Sequence, residues 1–153
     1  MFKDLDSHNE EEADDPIKAK QMEYVFTTCQ NAEAFVKQNY YNFIDTDRTN
    51  LMKLYKDNSL VAWNGTELRG MQMIESLYKE VPKTSHKVET YDAQYTLGGP
   101  SQSKQIVSVL IIVTGKVTFA DTATHNFHQT LVLGKDPVSQ NFYLVSDCMR
   151  LTS

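Results

Sequence analysis

Hydrophobic residues along this chain follow two periods, and one gives way to the other near the middle. Met22, Val25, Cys29, Ala32, Val36, Tyr40 and Phe43 step by three or four residues. That spacing predicts one long amphipathic helix with a single apolar face resting on the core. Asp15-Pro16 marks its start, an N-cap acid followed by proline at the first helical position. Asp45-Thr46-Asp47-Arg48 ends it, because short polar side chains bond their own backbone and favour caps. A short helix over residues 49–55 is expected next, then two short strands, 59–63 and 67–69. Asn64-Gly65 joins them, since both residues tolerate positive φ. Residues 70–81 predict a third helix, with Met71, Ile74, Leu77 and Tyr78 on one side and Pro82 just beyond its end.

Beyond Pro82 the period becomes two. Strands are expected over 87–96, 105–119, 126–134 and 142–151, separated by loops at 97–103, 120–125 and 135–140. In the longest, Val107, Val109, Ile111, Val113, Val117 and Phe119 alternate with Ile106, Ser108, Leu110, Ile112, Thr114 and Lys116. The first set is apolar apart from Gly115 and must face the core. A single wet face would be polar along the second set, yet Leu110 and Ile112 interrupt it. The last strand poses the same problem. Phe142, Leu144, Ser146, Cys148 and Arg150 form one set, and Tyr143, Val145, Asp147, Met149 and Leu151 form the other. Both sets are substantially apolar, and helices can cover only one face. A sheet-to-sheet interface with a second chain is therefore expected, with Arg150 at its edge placed to meet a carboxylate. Helices first and strands afterwards argue for an α+β fold.

Length and charge narrow the picture. At 153 residues the chain is one domain by expectation. Of the formal net charge of −5, residues 1–16 carry −6, from seven acids against Lys3, which leaves residues 17–153 at about +1. Residues 1–15 are expected to be a disordered acidic tail, and 16–153 the folded domain. A near-neutral fold lacks the basic surplus of a domain that grips nucleic-acid phosphates by itself. Cys29 and Cys148 are expected as buried free thiols in a reducing compartment. The first residues have no apolar core of a signal peptide, and no run reaches membrane-spanning length.

Candidate chemistry is sparse. His8, His86, His125 and His128 are scattered and the two cysteines stand apart from them, so no metal is expected. Gly98-Gly99 lacks the Lys-Ser/Thr of a phosphate loop, and no cofactor is expected. For acid–base work the candidates are Asp92, Asp121, Tyr40 and Tyr41, weighed against Asp92 as a solvent-side residue and the tyrosines as core. Trp63 is expected in the core or at a pocket rim, and Tyr40 and Met149 in the cavity or core.

Several pieces in order resemble the nuclear transport factor two family. They are Phe35-Val36 with Tyr40-Tyr41, Asp45-x-Asp47-Arg48 with Leu51, Leu54 and Tyr55, Trp63-Asn64-Gly65, Gly70 with Ile74, Asp92-Ala93-Gln94, Phe127-His128-Gln129, and Asp147-Cys148-Met149-Arg150-Leu151. The resemblance runs from about Cys29 to Leu151. It implies a cone, a curved antiparallel sheet packed on a long N-terminal helix and two shorter ones, with pairing through the outer sheet face. Two branches compete. Cys29 and Ala32-Glu33 ahead of Phe35-Val36, Trp63-Asn64-Gly65, Gly115 to Phe119 and Ser146-Asp147-Cys148 look like the small subunit of the mRNA export receptor, which pairs with a similar domain of a large Tap/Mex-type subunit. Asp45 to Arg48 looks like the homodimeric import factor that carries Ran-GDP. That factor reads Ran through an acidic pair where this chain has only Asp121. The resemblance thus implies a non-enzymatic export adaptor of nucleus, nuclear pore and cytoplasm, with an interface at Leu110, Ile112, Phe142, Leu144, Ser146, Cys148 and Arg150. It also implies contact with Phe-Gly nucleoporins through the complex, RNA bound mostly by the partner, and no membrane. A cavity enzyme of isomerase or dehydratase type is the remaining alternative.

Overall fold

A computed structural model describes residues 16–96, 108–120 and 122–152. The acidic segment 1–15, the loop 97–103, residues 105–107 and Asp121 lie outside the described residues. Among the described residues, four α-helices and six strands follow in order: α1 (Pro16–Phe35), α2 (Tyr41–Thr46), α3 (Arg48–Met52), β1 (Tyr55–Trp63), β2 (Thr66–Arg69), α4 (Met71–Glu80), β3 (Thr84–Thr96), β4 (Ser108–Phe119), β5 (Ala123–Lys135) and β6 (Phe142–Leu151). A wider, π-type turn at Val36–Tyr40 joins α1 to α2 without breaking the rod. Asp47 then ends the rod and caps α3, its carboxylate accepting from the Asn50 amide at 3.2 Å.

The strands form one curved, unclosed sheet in the order β2-β1-β6-β5-β4-β3. Its neighbours are antiparallel except β1 and β6, which run parallel, so the sheet is mixed. Tyr55, expected as the end of a helix, belongs to β1, whose register with β6 shifts between Tyr55 and Leu60. The β1–β2 turn has the expected chemistry, with Asn64 at φ 46° and Gly65 at φ 95°. Helices lie on the concave face. Val36, Tyr40, Ile44, Leu51 and Ile74 meet Val109, Ile111, Val113, Leu131 and Leu133 there, all but fully buried. Gly115 takes the one place on that face where a side chain would not fit. A Cβ there would stand 2.3 Å from the Lys87 carbonyl oxygen, because β3 shifts register against β4 between Val88 and Thr90.

Two parts of the pattern fold otherwise than expected. The apolar stripe of α1 reaches the core only from Thr28 and Ala32 onward, and Met22 is 73% exposed. The other part is β6. Its register shifts against β5, where Val132 pairs with Ser146 but Leu133 pairs with Leu144. Val145 is the extra residue of a bulge, and a bulge reverses which face the following side chains take.

Arg48 ties the helices together. Its Nε donates to the Ile44 carbonyl at 3.1 Å, Nη1 to the carbonyls of Tyr78, at 3.0 Å, and Val81, and Nη2 to that of Pro82 at 2.6 Å. Asp45 ties α2 to β3. It accepts from the Thr84 hydroxyl at 2.8 Å and the His86 amide at 2.8 Å, and pairs with His86 Nδ1 at 2.6 Å.

Candidate partner interface

The register sets out the convex face in rows. One runs Arg69, Leu60, Ser146, Val132, Leu110, Gln94 across the six strands. The next runs Glu67, Ala62, Cys148, Thr130, Ile112, Asp92. A third begins at Arg150 and continues through His128, Thr114 and Thr90. Small or apolar residues therefore occupy the middle, and charged or polar ones the margins. Leu60 is 48% exposed and Ile112 42% exposed, while Leu110 and Val132 are half-buried by their neighbours. The described helices all lie on the other side, so this apolar centre with a polar rim is open. That is the anatomy of a surface made to be covered. At its β2 edge Glu67 and Arg69 approach to 3.8 Å, both largely exposed. Beside them Leu60, Ala62, Ser146 and Cys148 line a shallow depression of about 90 Å³.

The structure brings Leu110, Ile112, Ser146, Cys148 and Arg150 onto this one face. It moves Phe142 and Leu144 to the other. Leu144 is fully buried, and the Phe142 ring packs at a tilt against Phe35 of α1, centroids 5.9 Å apart. Strict alternation along β6 placed them with Cys148, and the bulge at Val145 undoes that alternation. Cys148, expected as a buried thiol, is exposed because its side chain stands on the convex face; Cys29 is half-buried, and both are free. Leu60, Ala62, Thr130 and Val132 complete the surface. The sequence reading missed them because short β1 and alternating β5 gave no surplus of apolar residues.

Beneath this face lies a buried polar cluster. Asp147 is 2% exposed. Its Oδ2 accepts from the Tyr40 and Tyr55 hydroxyls, each at 2.7 Å, and its Oδ1 from Gln129 Nε2 at 2.6 Å. Gln129 Oε1 accepts from the Tyr41 hydroxyl at 2.7 Å, and the Tyr55 and Tyr78 hydroxyls stand 3.2 Å apart. Burial pushes the Asp147 carboxyl above its ordinary range, and the bonds from Gln129, Tyr55 and Tyr40 hold it partly back. Burial, followed by the charge of Asp147, drives the Tyr40 hydroxyl well above its usual value. Tyr40 and Met149 lie in the core, and Trp63, half-buried, packs edge-on against Tyr78 at 6.0 Å. Asp92, weighed as a base against a solvent-side residue, stands exposed in the convex rows. Asp121 is outside the described residues. Among the described residues, Asp147 is the one fully buried carboxylate. Its signal was present, an acid in the same set as Met149 and Leu151, with Gln129 between Phe127 and Leu131.

A family model for the nuclear transport factor 2 (NTF2) domain matches residues 31–151. Human NTF2-related export protein 2 is 30% identical over 129 residues, spanning 83% of this chain and 89% of that protein. NTF2-related export protein 1 of Schizosaccharomyces pombe is 34% identical over 103 residues, spanning 66% and 81%. A chain in the structure of the Chaetomium Mex67:Mtr2 subunits superposes with a TM-score of 0.64 at 18% identity, covering 80% of this chain and 97% of that one, a likeness of fold. The chain belongs to the nuclear transport factor 2 family.

Proposed function

We propose that this chain is a non-enzymatic adaptor subunit. It pairs through the convex sheet face with the homologous domain of a large mRNA export receptor of the Tap/Mex type. The pair supports passage of messenger RNP through nuclear pores and works in nucleus, pore and cytoplasm. Phe-Gly nucleoporins are met through the complex, and the near-neutral fold leaves most contact with RNA to the partner. One observation carries this reading: an apolar centre at Leu60, Leu110, Ile112 and Val132 on a sheet whose other face is already filled. The names of the export-protein relatives, and the pairing of Mtr2 with Mex67 in a structure of like fold, support the kind of partner.

Two alternatives are weaker on the geometry. The Asp45–Arg48 likeness to the Ran-GDP carrier has a structural use, since Asp45 and Arg48 join helices to strands and to one another. A cavity enzyme would need an acid or base able to reach a substrate. Asp147 has both oxygens engaged by three donors and is enclosed by tyrosines.

Ile112→Glu and Arg150→Glu test the reading by co-purification with the large subunit. Ile112→Glu places an unpaired charge at the centre of an interface that by class buries about 1,600 Å², and burial of such a charge is strongly unfavourable. Both variants are expected to fold and to lose the partner. Full recovery of the partner with both would refute the interface.

A further inference from the structure

One end of the convex face carries charge that the fold itself does not use. Lys116 of β4 pairs in register with Lys87 of β3, and one row nearer the centre His128 of β5 pairs with Arg150 of β6. All four are exposed. Residues opposite one another across two strands point to the same side, so these four share the convex face with Ile112 and Cys148. Like charges directly opposite, as Lys87 and Lys116 are, weaken a sheet. Nothing nearby offsets them. Among the described residues, none of Lys87, Lys116, His128 and Arg150 has an ion-pair partner. Gly65 leaves room for the Arg150 guanidinium, since a Cβ there would stand 3.0 Å from Nη1. An unfavourable lysine pair beside an open apolar centre calls for an anion from outside the chain.

Given pairing through the convex face as proposed above, we propose that carboxylates on the sheet of the large subunit meet Lys87 and Lys116, and that this charge match selects the large subunit over a second copy of this chain. Position favours an acidic protein surface. Lys116 lies four residues along β4 from Ile112, about 13 Å at 3.3 Å per residue, so one facing sheet covers both. Charge excludes a second copy as the better match. The convex rows hold Arg69, Lys87, Lys116 and Arg150 against Glu67 and Asp92, a surplus of two positive charges. Residues 17–153 as a whole carry only about +1, so the surplus of the fold is gathered on this face. Two copies set face to face bring surplus against surplus whatever their relative rotation, and like charge across an interface costs affinity. Nucleic acid fits less well. A surplus of two is small for a grip on phosphates, and these rows contain no Phe, Tyr or Trp on which bases would stack.

The full-length chain is titrated with the large subunit at low and at high salt, as wild type, as Lys87→Gln with Lys116→Gln, as Lys87→Glu and as Ile112→Glu. Both lysine variants should fold with Tm equal to or above that of wild type, because the opposed charges are gone. At low salt the double glutamine variant is expected to bind about three- to tenfold more weakly, and Lys87→Glu more weakly still. The double variant should also lose most of the salt dependence of wild type. In sedimentation of the chain alone, wild type should self-associate more weakly than it binds the large subunit, and the double variant more strongly than wild type. Equal affinity and equal salt dependence in wild type and double variant would overturn the inference. Self-association of wild type as tight as its binding to the large subunit would do the same. So would unchanged pairing with lost binding of a polyuridine strand in the double variant, which assigns the lysines to nucleic acid. Ile112→Glu keeps the two claims apart. Loss of the partner there, with no effect of the lysine changes, refutes the charge match alone; no binding by wild type refutes the pairing and the charge match with it.

Discussion

Replacing Asp147 with alanine asks whether the buried cluster is a framework beneath the interface. The change withdraws one acceptor from three donors, the Tyr40 and Tyr55 hydroxyls at 2.7 Å and Gln129 Nε2 at 2.6 Å. Two of these have somewhere else to turn. Gln129 Nε2 already donates to the Tyr40 hydroxyl at 2.7 Å, and the Tyr55 hydroxyl lies 3.2 Å from that of Tyr78. The Tyr40 hydroxyl, fully buried, loses its carboxylate acceptor. An orphaned buried donor costs about 1–3 kcal/mol, and the small cavity adds about 1 more. An opposing gain follows from no longer burying a carboxylate. The net expectation is a loss of about 2–3 kcal/mol, or about 4–12 °C in Tm for a domain of this size.

The pH dependence has a sign of its own. The folded-state pKa of Asp147 is raised, so the folded protein holds this proton more tightly than the unfolded chain does. The cost of the buried charge is therefore present above the folded pKa. It is relieved as pH falls through that value toward the unfolded value of about 3.9. Urea unfolding followed by circular dichroism, for wild type, Asp147→Ala and Asp147→Asn across this range, tests both statements. The difference between wild type and Asp147→Asn should shift in favour of wild type on acidification. An Asp147→Ala variant within about 0.5 kcal/mol of wild type at neutral pH, the range of ordinary surface changes, would refute the framework reading.

Three further outcomes follow from the contacts around the sheet. Asp45→Asn should lower stability at neutral pH and flatten its acid limb. Burial raises the Asp45 pKa, but the bonds from His86 and Thr84 outweigh burial and leave it lowered, so its contribution is full above the unfolded value and lost as pH falls below it; chemical unfolding against pH checks this. Arg48→Ala removes charge-assisted bonds to four carbonyls of α2 and α4's end. It should cost about 2–4 kcal/mol in thermal unfolding at about 1.5–3 kcal/mol per well-made charged bond, with water recovering part; no change would mean that those carbonyls are solvated without it. Gly115→Ala drives a Cβ against the Lys87 carbonyl and should destabilise by about 1–3 kcal/mol as overpacking does, read in the same unfolding measurement.

How much of this was written in the chain differs from element to element. β4 was legible because the set from Val109 to Val117 is long and apolar apart from Gly115, and no other secondary structure accounts for it. The hairpin at Asn64-Gly65 was legible because its chemistry is local. Leu110, Ile112, Cys148 and Arg150 could be placed on one outward face for the same reason, period two read over a few residues. Phe142 and Leu144 could not, because the bulge at Val145 is set by how β6 meets both β5 and β1. Met22 was misplaced because helical period fixes which residues share a face, not how far the sheet beneath extends. The role of Asp147 required Tyr40, Tyr55 and Gln129, drawn from a helix and two strands that lie far apart in sequence.

The sequence alone thus determined the elements, their inward sides and the presence of apolar surface in excess of what the helices can cover, since these depend on neighbours a few residues away. Tertiary structure decided the parallel joining of β1 to β6, the crossing of β6 from one face to the other, the carboxylate held among tyrosines and the overhang of α1. Each of these is settled by a contact between segments distant along the chain, whose geometry no local pattern encodes.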